Sequence, residues 1–231
     1  MLLLFDIDGT LVAGATEAHR KALHEALREV HGVAAARVRS SLAPAGRTDG
    51  EIARAILLAA GVSAETIDER ADAVREACSR AYVRLATDDL SHTVIPGIKS
   101  LLAWLCERDD VNLGLVTGNF EAVGRLKLER AGLGGYFASA VGAFGSDSED
   151  RAALPGLARR RAGRPGRPYP RAQTVVIGDT PRDIACARAD ELSCVAVTTG
   201  PFDREALADA DAVFDDAHGL REWLARRLAT G

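Results

Sequence analysis

Two aspartates stand two positions apart, directly after an apolar run near the start of the sequence. Asp6 and Asp8 follow Leu2–Phe5 and precede Gly9 and Thr10. An apolar run followed by carboxylates and a glycine predicts a buried strand that ends in a turn. Because residues i and i+2 of an extended chain point to the same side, both carboxylates should share one direction. Such a pair can bind a divalent metal or divide nucleophile and acid/base roles, although a plain acidic turn is the simpler alternative.

Polar residues also follow two later apolar runs. Residues 117–119 (Thr-Gly-Asn) follow the run 111–116, and residues 178–183 (Gly-Asp-Thr-Pro-Arg-Asp) follow the run 174–177. Each motif alone is more often a turn or a helix cap. In an open parallel sheet, however, ligands bind beyond the carboxyl ends of the strands. The coincidence of three polar motifs at three strand ends therefore predicts one shared site.

Strand-length apolar runs alternate with helical patterns over most of the chain. The runs are residues 2–5, 111–116, 174–177, 194–197 and 212–214, with a weaker one at 140–144. This alternation predicts an α/β fold with a parallel sheet. The interval from about 16 to 89 differs, because it contains only helical patterns, at residues 17–30, 49–60 and 64–86. We interpret this interval as an inserted helical cap.

Composition limits the classes of partner. The 231 residues carry a formal net charge of −4, which favours neither nucleic acid nor an acidic membrane surface. Six arginines between residues 159 and 171 could form a basic patch, but a solvated helix end with a Gly/Pro loop is the favoured interpretation. The first apolar run ends at Asp6, so we expect no signal peptide and no membrane span, and a cytoplasmic protein is the default.

The cysteines lack the spacing of a zinc site or a disulfide framework. No C-x-x-C pair occurs, so we expect the cysteines to be reduced and mainly buried. They are Cys78, Cys106, Cys186 and Cys194.

Together, the three motifs resemble those of the haloacid dehalogenase-like hydrolase superfamily. Asp6-x-Asp8-Gly9-Thr10 matches its first motif, residues 117–119 its second and residues 178–183 its fourth. The helical interval is similar to the type-one cap of that superfamily. The resemblance implies a Rossmann-like parallel sheet core formed by residues 1–14 and 91–231, with an all-helical cap formed by residues 15–90.

The resemblance also implies roles for the carboxylates. Asp6 would be the nucleophile that forms an aspartyl-phosphate, and it would also bind Mg²⁺. Asp8 would bind the metal through its backbone carbonyl, while its side chain acts as the acid and base. Asp179 would be the second metal carboxylate. Asp183 would orient metal-bound water, although a first-turn aspartate on a helix dipole explains it almost equally well.

Phosphate binding and the compensating cation come from later residues. Thr117 and the N–H groups of Gly118 and Asn119 would hold the phosphate oxygens. The family pattern also requires a lysine or arginine, for which two candidates stay open. Lys127 is favoured because it is the core's one lysine after the second motif, although its place about 12 Å along a helix suggests an exposed side chain. Arg151 matches the usual sequence position of the missing lysine.

The second aspartate of the first motif points to an oxygen leaving group. The resemblance therefore implies Mg²⁺-dependent hydrolysis of a phosphate monoester of a small metabolite. A phosphomutase of the β-phosphoglucomutase type is the closest alternative, and a non-catalytic binding or regulatory protein on the same scaffold is another. The cap loop at residues 45–50 is similar to that of phosphoglycolate phosphatase-like proteins, so Arg47 and Thr48 are candidate substrate residues. A glycine turn with Thr48 capping the next helix is the competing interpretation.

Overall fold

A parallel sheet of six strands forms the centre of the computed structural model, which describes residues 1–38, 43–137 and 141–229. In chain order the strands are β1 (Leu2–Phe5), β2 (Asn112–Thr117), β3 (Gly142–Phe144), β4 (Thr174–Gly178), β5 (Ser193–Val197) and β6 (Ala212–Phe214). In space their order is β3-β2-β1-β4-β5-β6, and each neighbouring pair is parallel. The weakest predicted strand, residues 140–144, corresponds to β3, and its residue 140 lies outside the described residues.

Nine α-helices accompany the sheet within the described ranges. They are α1 (Thr16–His31), α2 (Asp49–Ala59), α3 (Ala64–Glu69), α4 (Ala71–Leu85), α5 (Ile98–Cys106), α6 (Glu121–Arg130), α7 (Leu154–Ala162), α8 (Pro181–Ala189) and α9 (Ala217–Ala229). None of these helices is long and apolar enough to cross a membrane. The sheet with its crossover helices confirms the predicted α/β class.

Strand β1 lies in the middle of the sheet and is fully buried. Leu3 and Phe5 pack with residues of α5 and α9 on one face, while Leu2 and Leu4 pack with residues of α7 and α8 on the other. Burial on both faces explains why β1 is a continuous apolar run rather than an alternating one.

The register places the polar motifs at one edge of the sheet. Phe5 pairs with Leu115 of β2 on one side and with Ile177 of β4 on the other. Strands β1, β2 and β4 therefore end side by side. Residues 6–10, 117–119 and 178–183, which follow or end these strands, meet at the carboxyl edge of the sheet.

Helices α1 to α4 form a separate layer over that edge. Their apolar faces make their own core cluster, which also includes Phe120 and Val123 at the start of α6. This layer is the inserted all-helical cap, and it rests on the core through α6. The exact boundaries proposed from the sequence, residues 14/15 and 90/91, stay predictions.

One expectation about local structure was wrong. The single helix predicted over residues 64–86 is two helices, because Arg70 leaves helical geometry (φ −109°, ψ 9°) and its guanidinium donates to the Val30 carbonyl at 3.0 Å. Cys106 is exposed, whereas the other three cysteines are buried as expected. It lies at the last turn of α5, where the helix reaches the surface.

Candidate active site

Three aspartates from two strand ends converge at the carboxyl edge of the sheet. Asp6, Asp179 and Asp183 each offer a carboxylate oxygen, and these oxygens lie within 4.8 Å of one another. All three residues are buried. The Asp6 N–H donates to the Ile177 carbonyl at 2.9 Å, and the Thr10 hydroxyl donates to Asp179 at 3.2 Å. The backbone and a neighbouring hydroxyl thus hold the cluster in place.

The electrostatics of this cluster fit a bound cation. Burial, reinforced by the charges of Asp183 and Asp6, raises the pKa of Asp179 to about 9. Burial also raises the pKa of Asp6 to about 6, although the Arg151 guanidinium opposes the shift. Buried carboxylates at such distances cannot all be ionised without compensating positive charge. A hard divalent cation, which prefers oxygen ligands, suits this donor set.

Two glycines let the backbone approach the Asp179 carboxylate closely. A Cβ on Gly9, whose φ is +83°, would lie 2.1 Å from Asp179 Oδ2, and a Cβ on Gly200 would lie 1.7 Å from the same atom. Any side chain at either position would therefore displace the carboxylate. Gly9 was part of the first motif, whereas Gly200 was missed, although Thr198 and Thr199 directly before it make a polar end of β5.

Arg151 lies on the Asp6 side of the site. Its Nη2 lies 3.2 Å from Asp6 Oδ1 and also donates to Asp183 Oδ1. The residue is buried, and its Nε has no hydrogen-bond partner within the described structure. Arg151 thus supplies positive charge where the carboxylates crowd.

Lys127 lies on the Asp8 side of the site and is fully buried, so the surface position suggested by distance was wrong. Its Nζ is 2.7 Å from both oxygens of Asp8 and 2.8 Å from Asn119 Oδ1. Helical side chains point back toward the helix N-terminus, which lets Lys127 of α6 reach the strand ends. Burial acts to raise the pKa of Asp8, but the Lys127 charge and the other contacts of this carboxylate, among them the hydrogen bonds from Lys127 and Asn119, together outweigh burial and hold that pKa below its ordinary value.

The second motif is joined to Asp8 rather than left free in the cavity. The Asn119 amide donates to Asp8 Oδ2 at 2.9 Å and to the Thr117 hydroxyl at 3.1 Å. The Asn119 N–H also points to that hydroxyl, at 3.4 Å. Because the Thr117 oxygen accepts these bonds, its own proton is available for donation.

Asp183 is the first-turn aspartate that the alternative interpretation expected, and its role in orienting metal-bound water stays a prediction. Its Oδ2 accepts from the N–H and the hydroxyl of Thr180, and its N–H in turn points to the Thr180 hydroxyl, which makes a capping box at the start of α8. Its Oδ1 accepts from Arg151 beside Asp6. The cap of α8 therefore also fixes a carboxylate at the edge of the aspartate cluster.

The two candidate cap residues have different surroundings. Arg47 lines the cavity, where its guanidinium pairs with Glu51 and its Nε donates to the Ala43 carbonyl at 3.0 Å. Thr48 is fully buried, accepts from the Glu51 N–H and donates to the Glu149 carbonyl at 2.7 Å. The Thr48 hydroxyl is thus used in capping α2, as the competing interpretation expected, and in joining cap to core, while a contact with substrate stays a prediction.

Sequence reasoning missed a pair of cap residues that line the cavity, His19 and Asp49. His19 Nε2 lies 2.9 Å from Asp49 Oδ2, and both residues line the cavity next to Asp8 and Asn119. The available signal was weak: a histidine on the same helical face as the apolar Ala22, Leu23 and Ala26, and an acidic residue in the first turn of α2.

A cavity of about 540 Å³ lies between the cap and the core. Asp6, Asp8 and Asp179 form its core side, and Leu23 and Arg47 belong to its cap side. Its size suits a small organic molecule.

Comparisons with known proteins agree with this geometry. A model of the haloacid dehalogenase-like hydrolase family matches residues 3–188. The chain is 33% identical to a phosphoglycolate phosphatase of Rhodospirillum rubrum over 96% of its length and 90% of that protein. It is 28% identical to a phosphoglycolate phosphatase of Pseudomonas syringae pv. syringae, over 95% of this chain and 78% of that one.

Solved structures share the fold at lower identity. A phosphatase assigned by prediction from Clostridium acetobutylicum has a TM-score of 0.68 and 19% identity, covering 97% of this chain and 98% of that one. A β-phosphoglucomutase from Clostridium difficile has a TM-score of 0.66 and 18% identity, covering 97% and 95%. Because the family model spans most of the sequence and the motifs meet in one buried site, the chain belongs to the haloacid dehalogenase-like hydrolase family.

Proposed function

We propose that the protein hydrolyses the phosphate monoester of a small molecule, with Mg²⁺, through an aspartyl-phosphate on Asp6. The observation that carries this proposal is that two neighbouring carboxylates pair with different basic residues. Asp6 lies with Arg151 and the aspartate cluster, whereas Asp8 lies with Lys127 and Asn119. Two carboxylates in different environments can take different roles in one reaction.

Asp6 is the nucleophile in this proposal. Its carboxylate oxygen attacks phosphorus, an acyl-phosphate bond forms, and the bond to the leaving oxygen breaks. Mg²⁺ held by Asp6, Asp179 and the backbone carbonyl of Asp8 would supply positive charge for the carboxylates and the phosphate oxygens. Arg151 offsets negative charge from the protein side, close to Asp6 and Asp183.

Asp8 carries the proton. In the first step its carboxylic acid protonates the leaving alcohol, and in the second step its carboxylate takes a proton from the water that cleaves the acyl-phosphate. The ion pair with Lys127 favours the carboxylate form in the resting protein. Entry of a phosphate dianion next to Asp8 raises its pKa again, because like charges disfavour ionisation.

Phosphate oxygens would be held by the second motif. Gly118 and Asn119 line the cavity, with the Asn119 amide bonded to Asp8, and the Thr117 hydroxyl keeps a proton to donate. This loop lies directly before α6, so the positive end of the helix dipole faces the same space.

The cavity and the relatives support a small anionic substrate. The cap loop covers the site so closely that a Cβ on Gly118 would lie 2.1 Å from the Arg47 carbonyl oxygen. This closeness disfavours proteins and other large substrates. The curated relatives named above are phosphoglycolate phosphatases, so we propose a phosphate ester that also carries a carboxylate or second phosphate. Arg47 would exchange Glu51 for this second anionic group.

A panel of metabolite phosphates, assayed with Mg²⁺ and with a chelator, tests the proposal. We expect release of inorganic phosphate that requires Mg²⁺ and is abolished in Asp6→Asn. A phosphomutase would instead return an isomerised sugar phosphate. Absence of any turnover with the full panel and Mg²⁺, or activity that survives in Asp6→Asn, would contradict the proposal and favour a binding protein.

A further inference from the structure

One buried cap residue, Asp49, bonds to the core loop that follows β2. Its Oδ2 accepts from the Phe120 N–H at 2.7 Å, and its own N–H donates to the Gly118 carbonyl at 2.8 Å. The same Oδ2 lies 2.9 Å from Nε2 of His19 in α1. Asp49 therefore connects two cap helices to the loop proposed to hold phosphate.

The histidine continues this chain of contacts to Lys127. Nδ1 of His19 lies 3.5 Å from Lys127 Nζ, at the long end of hydrogen bonding. A lysine ammonium only donates, so Nδ1 is the acceptor and Nε2 carries the proton given to Asp49. The ring also packs edge-on against Tyr82 of α4, with centroids 5.8 Å apart. His19 is thus held in one orientation and one tautomer.

His19 faces Lys127 from the cap side. The ammonium has three N–H groups, and the acceptors around it are both oxygens of Asp8, the Asn119 amide oxygen and, at the longest distance, His19 Nδ1. Lys127 is fully buried, so no solvent replaces a lost acceptor. Loss of the cap-side contact leaves the ammonium held by Asp8 and Asn119 alone, so docking of the cap no longer contributes to its orientation.

We propose that Asp49 and His19 are positioning residues that couple docking of the cap to the orientation of Lys127 and Asp8. This inference rests on the proposed phosphatase function. Opening of the cap would break the Asp49 bonds to Phe120 and Gly118 and withdraw His19 from Lys127. Asp8 would then be correctly oriented only while the cavity is closed, when bulk water is excluded from the phosphoenzyme.

Paired variants separate the two halves of this connection. Asp49→Ala removes the cap–core bonds, whereas Asp49→Asn retains a carbonyl oxygen that can accept from Phe120 and His19. His19→Ala removes the acceptor for Lys127, whereas His19→Gln supplies both a donor and an acceptor. Asp72→Ala is the matched control, because Asp72 is a first-turn aspartate of α4 that pairs only locally with Arg75 among its recorded contacts.

Three measurements read the connection independently. Hydrogen exchange of the Phe120 amide reports the Asp49 bond, and ¹⁵N NMR of the His19 ring reports its tautomer. Steady-state kinetics report kcat and KM for the substrate found in the panel. We expect Asp49→Ala to abolish protection of the Phe120 amide, to mix the His19 tautomers and to lower kcat about 100-fold with a much smaller change in KM.

The remaining variants set the limits of the inference. His19→Ala should lower kcat while the Phe120 amide stays protected, and Asp49→Asn and His19→Gln should recover most of kcat. Unchanged kcat and unchanged amide protection in Asp49→Ala would overturn the inference, as would equal losses in the Ala, Asn and Gln variants. If the wild-type protein hydrolyses nothing, the proposed function fails, while exchange and NMR still test whether Asp49 and His19 are connected as described.

Discussion

The ammonium of Lys127 lies 2.7 Å from both carboxylate oxygens of Asp8. Arg151, the other candidate cation, lies instead against Asp6 and Asp183. The two basic residues are therefore not alternatives for one position. Each compensates a different carboxylate, and their removal should have different kinetic signatures.

Substitution of Lys127 should mainly affect proton transfer. In Lys127→Met the Asp8 carboxylate loses its ion pair, so we expect kcat for an alkyl phosphate to fall about 100-fold or more. Lys99→Met provides the control, because Lys99 is exposed on α5. Steady-state kinetics at saturating substrate measure the effect. An active Lys127→Met enzyme alongside an inactive Arg151→Ala enzyme would assign the family's cation to Arg151 alone.

Substitution of Arg151 should mainly affect phosphate binding. Arg151→Gln removes positive charge beside Asp6, so we expect inorganic phosphate to inhibit at least about tenfold more weakly. Arg151→Lys keeps the charge and should recover part of the affinity. Arg160→Gln, an exposed position on α7, is the control. If phosphate inhibited the wild type and all variants equally, Arg151 would not be a phosphate-binding residue.

The role of Asp8 can be read from the leaving group. A para-nitrophenolate leaves without a proton, so Asp8→Asn should still form the phosphoenzyme from para-nitrophenyl phosphate. Hydrolysis of the phosphoenzyme lacks its base and becomes slow, by about 100-fold or more. Stopped-flow absorbance should therefore show a burst of nitrophenolate close to one equivalent. A steady slow release without a burst would argue against the two-step division of roles.

The aspartate cluster should destabilise the protein when no metal is bound. Burial raises the pKa of Asp179 from 3.8 to about 9, so the folded state holds a proton that the unfolded state loses. The free energy of unfolding of the metal-free protein should therefore fall as pH rises from about 4 to about 9. Asp179→Asn removes the Asp179 part of this dependence and should be more stable by about 2 kcal/mol at pH 8.

Denaturant unfolding at several pH values, with a chelator, measures this difference. Addition of Mg²⁺ should make the wild type more stable than Asp179→Asn, because the wild-type cluster gains binding energy that the variant lacks. Asp211→Asn is a suitable control, since the pKa of Asp211 is lowered: burial acts to raise it, but the hydrogen bonds from Arg188 and the Cys194 N–H and the nearby arginine charges together outweigh burial. A wild-type stability independent of pH would contradict the prediction.

Thr48 should matter for stability rather than for substrate binding. Thr48→Ala removes the cap of α2 and the bond to the Glu149 carbonyl, which should cost about 1 kcal/mol. Urea unfolding checks the loss, and KM should change less than about twofold. Ser63→Ala, which removes the cap of α3 far from the cavity, is the matched comparison. A large rise in KM would return Thr48 to the substrate residues.

The sequence predicted the core half of the site because parallel strands align their carboxyl ends. Asp6, Thr117 and Asp179 each follow an apolar run, and the register of β1 with β2 and β4 brings them together. The end of a strand can be recognised from local sequence, and residues at the carboxyl ends of adjacent parallel strands are then necessarily neighbours in space.

The cap half could not be predicted in the same way. His19 meets both Asp49 and Lys127 only because α1 and α2 fold back over the sheet edge, and no local pattern encodes that packing. Lys127 itself was misplaced by axial distance, since its long side chain bends back along α6. The break at Arg70 depends on a contact with Val30 from another helix, which also lies beyond local reach.

The central place of β1 has a consequence for biosynthesis. Leu3 pairs with Leu113 and with Val175, so strand β1 has no completed sheet around it until the chain has been made as far as β4. The cap helices, whose contacts are nearer in sequence, have no such requirement. A truncated product that ends before β4 would carry a folded cap over an unfinished sheet and would expose the apolar β1 to association with other chains.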